Sequence, residues 1–116
     1  LNTEKTDLAK ADLQLLSKEV KTTYGAESRF LLAQLYYKQN DLKESEAIIN
    51  QFIKDGTPHA YWLAHSFLLL SDIYVQRKDD FQAKQYLLSL KENYKADDDI
   101  AGLIEARLNN ISQRNN

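Results

Sequence analysis

Leu32-Ala33-Gln34-Leu35-Tyr36-Tyr37-Lys38-Gln39-Asn40-Asp41 decides the fold, because its pattern returns later in the chain. Leu32-Ala33-x-x-Tyr36 recurs as Leu70-Ser71-x-x-Tyr74, 38 residues on, and nine residues after each Tyr stands a small side chain, Ser45 and then Ala83. Each small residue is followed four later by Ile49 or Leu87 and seven later by Phe52 or Leu90. Ala9, Leu13 and Leu16 repeat that second half near the start, and Leu103, 33 residues after Leu70, opens what reads as another first half. Such spacing belongs to a helix hairpin, in which small residues let two backbones approach and large side chains fill the groove between them. Each hairpin leaves one apolar face uncovered, so neighbours have to stack.

Outward from that stretch, apolar residues keep helical spacing in about six segments. The first runs over 6–23, with Leu8, Leu13, Leu16 and Val20 on one side and Gly25 as its stop. A hairpin over 26–54 follows, with a break at Asn40-Asp41 and an end at Asp55-Gly56. A second hairpin covers 58–94, opened by Thr57-Pro58 as cap and first helical residue and broken at Asp79-Asp80. Asp97, Asp98 and Asp99 put negative charge before a last helix over 98–111. Its polar end, with Arg107, Asn109, Asn110, Gln113 and Arg114, suits a helix that caps a stack in water. Connections this short force antiparallel neighbours, and no stretch alternates as a strand would. The expectation is an all-α chain, a solenoid of antiparallel hairpins: an orphan second-half helix, two full hairpins and a capping helix.

Composition agrees. The 116 residues are 43% hydrophobic and 28% charged with three Gly and one Pro, which excludes both disorder and a turn-rich β fold. A formal net charge of −2 provides no basic field for nucleic acid. Without Cys there is no disulfide and no thiolate metal site. No Met occurs, so Leu1 reads as the start of a processed or excised piece. Tyr61 to Val75 is the most apolar stretch, yet His65, Ser66 and Asp72 interrupt it and it falls short of the roughly 20 residues a bilayer requires. No signal-peptide pattern opens the chain.

The hairpin pattern resembles the tetratricopeptide repeat, whose consensus W-x-x-L-G-x-x-Y, A-x-x-x-F and P repeats about every 34 residues. Leu35 to Asp41 is similar to the end of that family's first helix and its turn. Arg29 and Phe67 stand where the consensus has Trp, Pro58 falls one residue late, and the 38-residue spacing adds four residues between hairpins. Thr57-Pro58-His59-Ala60-Tyr61-Trp62-Leu63-Ala64 and Asp79 through Leu88 resemble the C-terminal region of large multi-repeat members from Bacteroides-type bacteria. This resemblance implies further repeats upstream and a location in the bacterial cell envelope or periplasm. It implies no particular ligand.

The family binds peptides or partner helices on a concave face made of the first helix of each pair. Here that face would carry Glu27, Phe30, Gln34, Tyr37 and Lys38 from one helix and Tyr61, His65, Leu68, Asp72, Val75 and Gln76 from another. Phe30, Tyr37 and Leu68 would supply apolar area and Gln34 and Asp72 polar specificity, unless the last helix covers them as core. Phe30 and Gln34 occupy places where a carboxylate clamp needs Lys and Asn, which argues against chaperone-tail binding. His59 and His65 are six apart, off the spacing that would pair two metal ligands on a helix. No nucleophile–base pair, Gly-rich phosphate loop or paired carboxylates stand out. The reading is a non-catalytic, cofactor-free protein-binding scaffold, with a cap of a longer solenoid and a homodimer through Leu8, Leu13, Leu16 and Val20 as rivals.

Overall fold

Asp41 and Asp79 each begin a helix by the same bond. The carboxylate of Asp41 accepts from Glu44 N at 3.2 Å, and that of Asp79 from Gln82 N at 3.2 Å. In the computed structural model, which describes residues 10–11 and 22–114, the turn before each Asp is also the same. Asn40 and Lys78 sit in the left-handed region, with φ of 63° and 66°. Asp41 N donates to Tyr36 O and Asn40 N to Tyr37 O, both at 2.9 Å. Asp79 N donates to Tyr74 O at 2.8 Å and Lys78 N to Val75 O at 3.0 Å. These are the paired bonds of a Schellman ending, formed twice, 38 positions apart. The likeness read from Leu32–Tyr36 and Leu70–Tyr74 therefore extends to the hydrogen bonds of the turns.

The described residues form five α-helices and no strand, rather than about six helices. They are α1 (Thr23–Lys38), α2 (Leu42–Asp55), α3 (Ala60–Gln76), α4 (Asp80–Asn93) and α5 (Ile100–Arg114). The expected segment over 6–23, with Leu8, Leu13, Leu16 and Val20, lies outside the described residues apart from helical Lys10 and Ala11 and from Thr22 and Thr23, which open α1 instead.

Three expected boundaries move, each for a local reason. Gly25 stops nothing: its N–H donates to Thr22 Oγ1 at 2.9 Å, so Thr22 caps α1 and Gly25 belongs to its first turn. Thr57 does not cap a helix at Pro58, because its Oγ1 is taken by His59 N at 3.2 Å. The His59 carbonyl receives the first amides of α3, from Trp62 and Leu63, and the helix starts at Ala60. At the other end, α5 passes Ile111 to reach Arg114, whose Nη2 donates to Asp80 Oδ1 at 2.7 Å.

The chain divides into two compact units, Leu1–Leu63 and Ala64–Asn116, with the division inside α3. In the first unit α1 packs on α2. Ser45, fully buried, donates its Oγ to Ala33 O at 2.7 Å, which satisfies the hydroxyl where a small residue lets the helices cross. Ile49 and Phe52 fill the rest, and Trp62 and Leu63 pack against the buried pair Ala26 and Phe52. In the second unit Ala83 takes the place of Ser45, again with no exposed surface. The Tyr86 ring stacks on Tyr74 at 5.6 Å and tilts against Phe67 at 6.3 Å, joining α4 to α3. Helix α5 contributes Ile100, Ile104 and Ile111 to the core.

Lys78 holds a left-handed conformation without the side-chain chemistry that eases it for Asn40. Lys78→Gly is expected to raise unfolding stability by about 0.5–1 kcal/mol, while Asn40→Gly stays within about 0.5 kcal/mol of neutral. Urea unfolding of the two variants checks this; a loss at Lys78→Gly would contradict the turn geometry.

Candidate functional site

Helical spacing puts Glu27, Phe30, Gln34, Tyr37 and Lys38 along α1, and packing then sorts them. Phe30 is only 7% exposed, its ring 5.8 Å from that of Trp62. Tyr61, half-buried, meets the same indole edge-on at 5.1 Å. Two of the candidate residues are thus brought together in the first unit, through Trp62. Glu27, Gln34 and Tyr37 are half-buried and Lys38 is exposed, so these keep surface that a partner could touch.

In the second unit the α3 candidates separate further. Leu68 is 1% exposed and belongs to the core. Asp72 is half-buried and engaged: Arg107 on α5 donates Nε to its Oδ1 at 2.9 Å and Nη2 to its Oδ2 at 3.0 Å. This two-point fork is the strongest geometry available to such a pair. Val75 is half-buried and Gln76 exposed. His65, one helical face with Asp72, has its pKa lowered from 6.5, first by burial and further by the Arg107 charge, against the opposing pull of Asp99 and Asp98. The run Asp97–Asp99 works as helix-start chemistry, for Asp98 accepts from Ile100 N at 2.9 Å and from the Tyr94 hydroxyl at 2.6 Å. No cluster of three His, Cys, Asp or Glu side chains capable of holding a metal occurs among the described residues. No described helix is long and apolar enough to cross a membrane.

A hollow of about 460 Å³ opens beside the Asp72–Arg107 pair. Ser71, Asp72 and Val75 of α3, Leu87 of α4, and Arg107, Asn110, Ile111, Gln113 and Arg114 of α5 line it. Sequence reasoning placed the α5 residues in a solvated cap and did not find this hollow. A signal was present: Asp72 and Arg107 are 35 apart and Asp80 and Arg114 are 34 apart, two pairs of opposite charge at nearly the same separation. The chain matches no family model, no curated protein and no solved structure.

The Asp72–Arg107 side chains are 26% and 28% exposed, whereas Lys91 and Glu105, 2.7 Å apart, are 55% and 50% exposed. A double-mutant cycle on unfolding stability should give a coupling of about 1–2 kcal/mol for the first pair and under about 0.5 kcal/mol for the second.

His65 yields a separate expectation. The folded state binds its proton less readily than the unfolded state, whose pKa stays near 6.5. No stability is lost to it above that pH; as the pH falls below it the unfolded chain takes up the proton first and the fold weakens. Removing the imidazole in His65→Gln should flatten this acid-side slope, measured by chemical unfolding at stepped pH.

Proposed function

We propose that the chain is a non-catalytic protein-interaction scaffold of the tetratricopeptide type, its hairpins forming part of an α-solenoid that holds a peptide or helix of a partner on its concave face. The observation that carries this reading is the twice-formed turn, with the same two backbone bonds and the same Asp cap 38 residues apart. A repeated hairpin is a device for stacking, and stacked hairpins present a row of first helices as a binding surface. On α1 that surface is supplied by Gln34, Tyr37 and Lys38, which combine one aromatic anchor with polar groups.

A second reading, that this stretch serves as the cap of a longer solenoid, is favoured by one feature. Helix α5 docks through Ile100, Ile104 and Ile111 and by the Arg107 fork, and leaves Glu105, Asn109 and Ser112 exposed to water. The two readings differ in where a partner would bind.

Selection of binders from a displayed peptide library, followed by amide chemical-shift mapping on the isotope-labelled chain, tests the scaffold. Bound peptide should shift Gln34, Tyr37 and Tyr61, and Tyr37→Ala should weaken binding by about tenfold with little change in unfolding midpoint. Peptides that bind while leaving all three resonances unmoved would sink the α1 face.

A further inference from the structure

The hollow in the second unit has a floor and a rim of different chemistry. Leu87, with no exposed surface, and Ile111, 5% exposed, form the floor together with half-buried Val75. At about 460 Å³ it falls within the range of true ligand pockets, about 300–1,000 Å³. Its rim is made by α5, where Arg107, Asn110 and Arg114 follow the i, i+3, i+7 spacing of one helix face.

The rim groups differ in what they already hold. Arg107 is committed, with Nε and Nη2 on Asp72 and Nη1 on Leu103 O at 3.3 Å. Both Asp72 oxygens are committed with it. Among the described residues Arg114 makes one hydrogen bond, from Nη2 to Asp80 Oδ1, although a guanidinium carries five N–H donors. The side-chain amides of Asn110 and Gln113 make none among the described residues. Each cation of the lining is paired with a carboxylate, Arg107 with Asp72 and Arg114 with Asp80, so what the rim offers is N–H donors rather than net charge.

Hydrogen-bond donors and shape together select the occupant. Arg114 spends one of its five N–H donors on Asp80 and keeps the others for an acceptor, which a cation does not offer, and one such guanidinium is too little to hold a nucleic-acid backbone. Seven residues of helix cover about 10 Å, the length of about three extended peptide residues. An aliphatic or aromatic side chain suits the floor, a carboxylate suits Arg114, and main-chain carbonyls suit the two amides. We propose that this hollow takes a large apolar side chain of a partner peptide, with a neighbouring acidic residue paired to Arg114. The inference rests on the scaffold reading but assigns the contact to the α3–α5 groove rather than to the α1 face.

The test uses the 116-residue chain, isotope-labelled, and three blocked pentapeptides: one phenylalanine among glutamates, one phenylalanine among lysines, and one alanine among glutamates. The first should shift the amides of Val75, Leu87 and Ile111, and the other two should bind at least about tenfold more weakly. Arg114→Glu should weaken the first peptide by about tenfold and Arg114→Lys by less. Asn110→Ala, at an exposed position that holds nothing else together, should weaken it by about threefold and guards against a fold effect at Arg114. Equal binding of the lysine peptide, indifference to Arg114→Glu, or shifts gathered around exposed Phe81 and Leu88 would each overturn the proposal. So would the same shifts on concentrating the chain without peptide, which would put a second copy in the hollow. Shifts at Gln34 and Tyr37 alone would overturn it and leave the scaffold standing; no shift anywhere at about 1 mM peptide would sink both.

Discussion

A helix that is to be followed at once by an antiparallel partner has to be stopped within one residue, and here a single left-handed residue does it. At Asn40 and again at Lys78 the backbone turns to positive φ, the amides of that residue and of the Asp after it fold back onto the last turn, and the Asp side chain then takes the amide of the third residue of the following helix. No residue is left over for a loop. Because the turn has no slack, the rotation of the second helix about its own axis is set relative to the first. That rotation places Ser45 against the Ala33 carbonyl, and a residue without bulk is the only kind the crossing admits. Ala83 fills the same role with no hydroxyl to satisfy.

The polar groups of the second unit follow from how α5 is attached. Three isoleucines anchor it, but apolar burial alone tolerates sliding, since one methyl group packs much like another. The Asp72–Arg107 fork and the Arg114–Asp80 bond are directional and set the register of α5 against α3 and α4. Both pairs keep some contact with water, which limits their contribution to stability and also spares the fold a full desolvation cost. The hollow forms where the attachment ends, between the fork and the last turn. Of its polar α5 residues, Arg107 and Arg114 hold the register, while the Asn110 and Gln113 amides have no such task among the described residues.

Much of this was readable in the residues and some was not. Asp41, Gly56, Asp79 and the Asp97–Asp99 run marked turns correctly, because caps act over three or four residues and are written locally. Gly25 and Thr57 misled for the same local reason: two capping hydroxyls, Thr22 and Thr57, lay within reach of more than one amide, and only the path of the chain chose between them. Of the α1 stripe, periodicity gave the face but not the burial of Phe30, which depends on Trp62 arriving from 32 residues away. Arg107 and Arg114 looked like solvent-facing cap residues because their partners, Asp72 and Asp80, are 35 and 34 residues away.

What the sequence by itself determined is the all-helical class and the turns at Asn40-Asp41, Gly56 and Asp79, since these rest on helical periodicity and on capping bonds only a few residues long. The tertiary structure alone decided which stripe residues keep a surface, that Leu68 is core and Asp72 is bound, and that a hollow lies beside α5. Those outcomes depend on pairs 32 to 35 residues apart, and a helix face does not carry the identity of the side chains that will be laid against it.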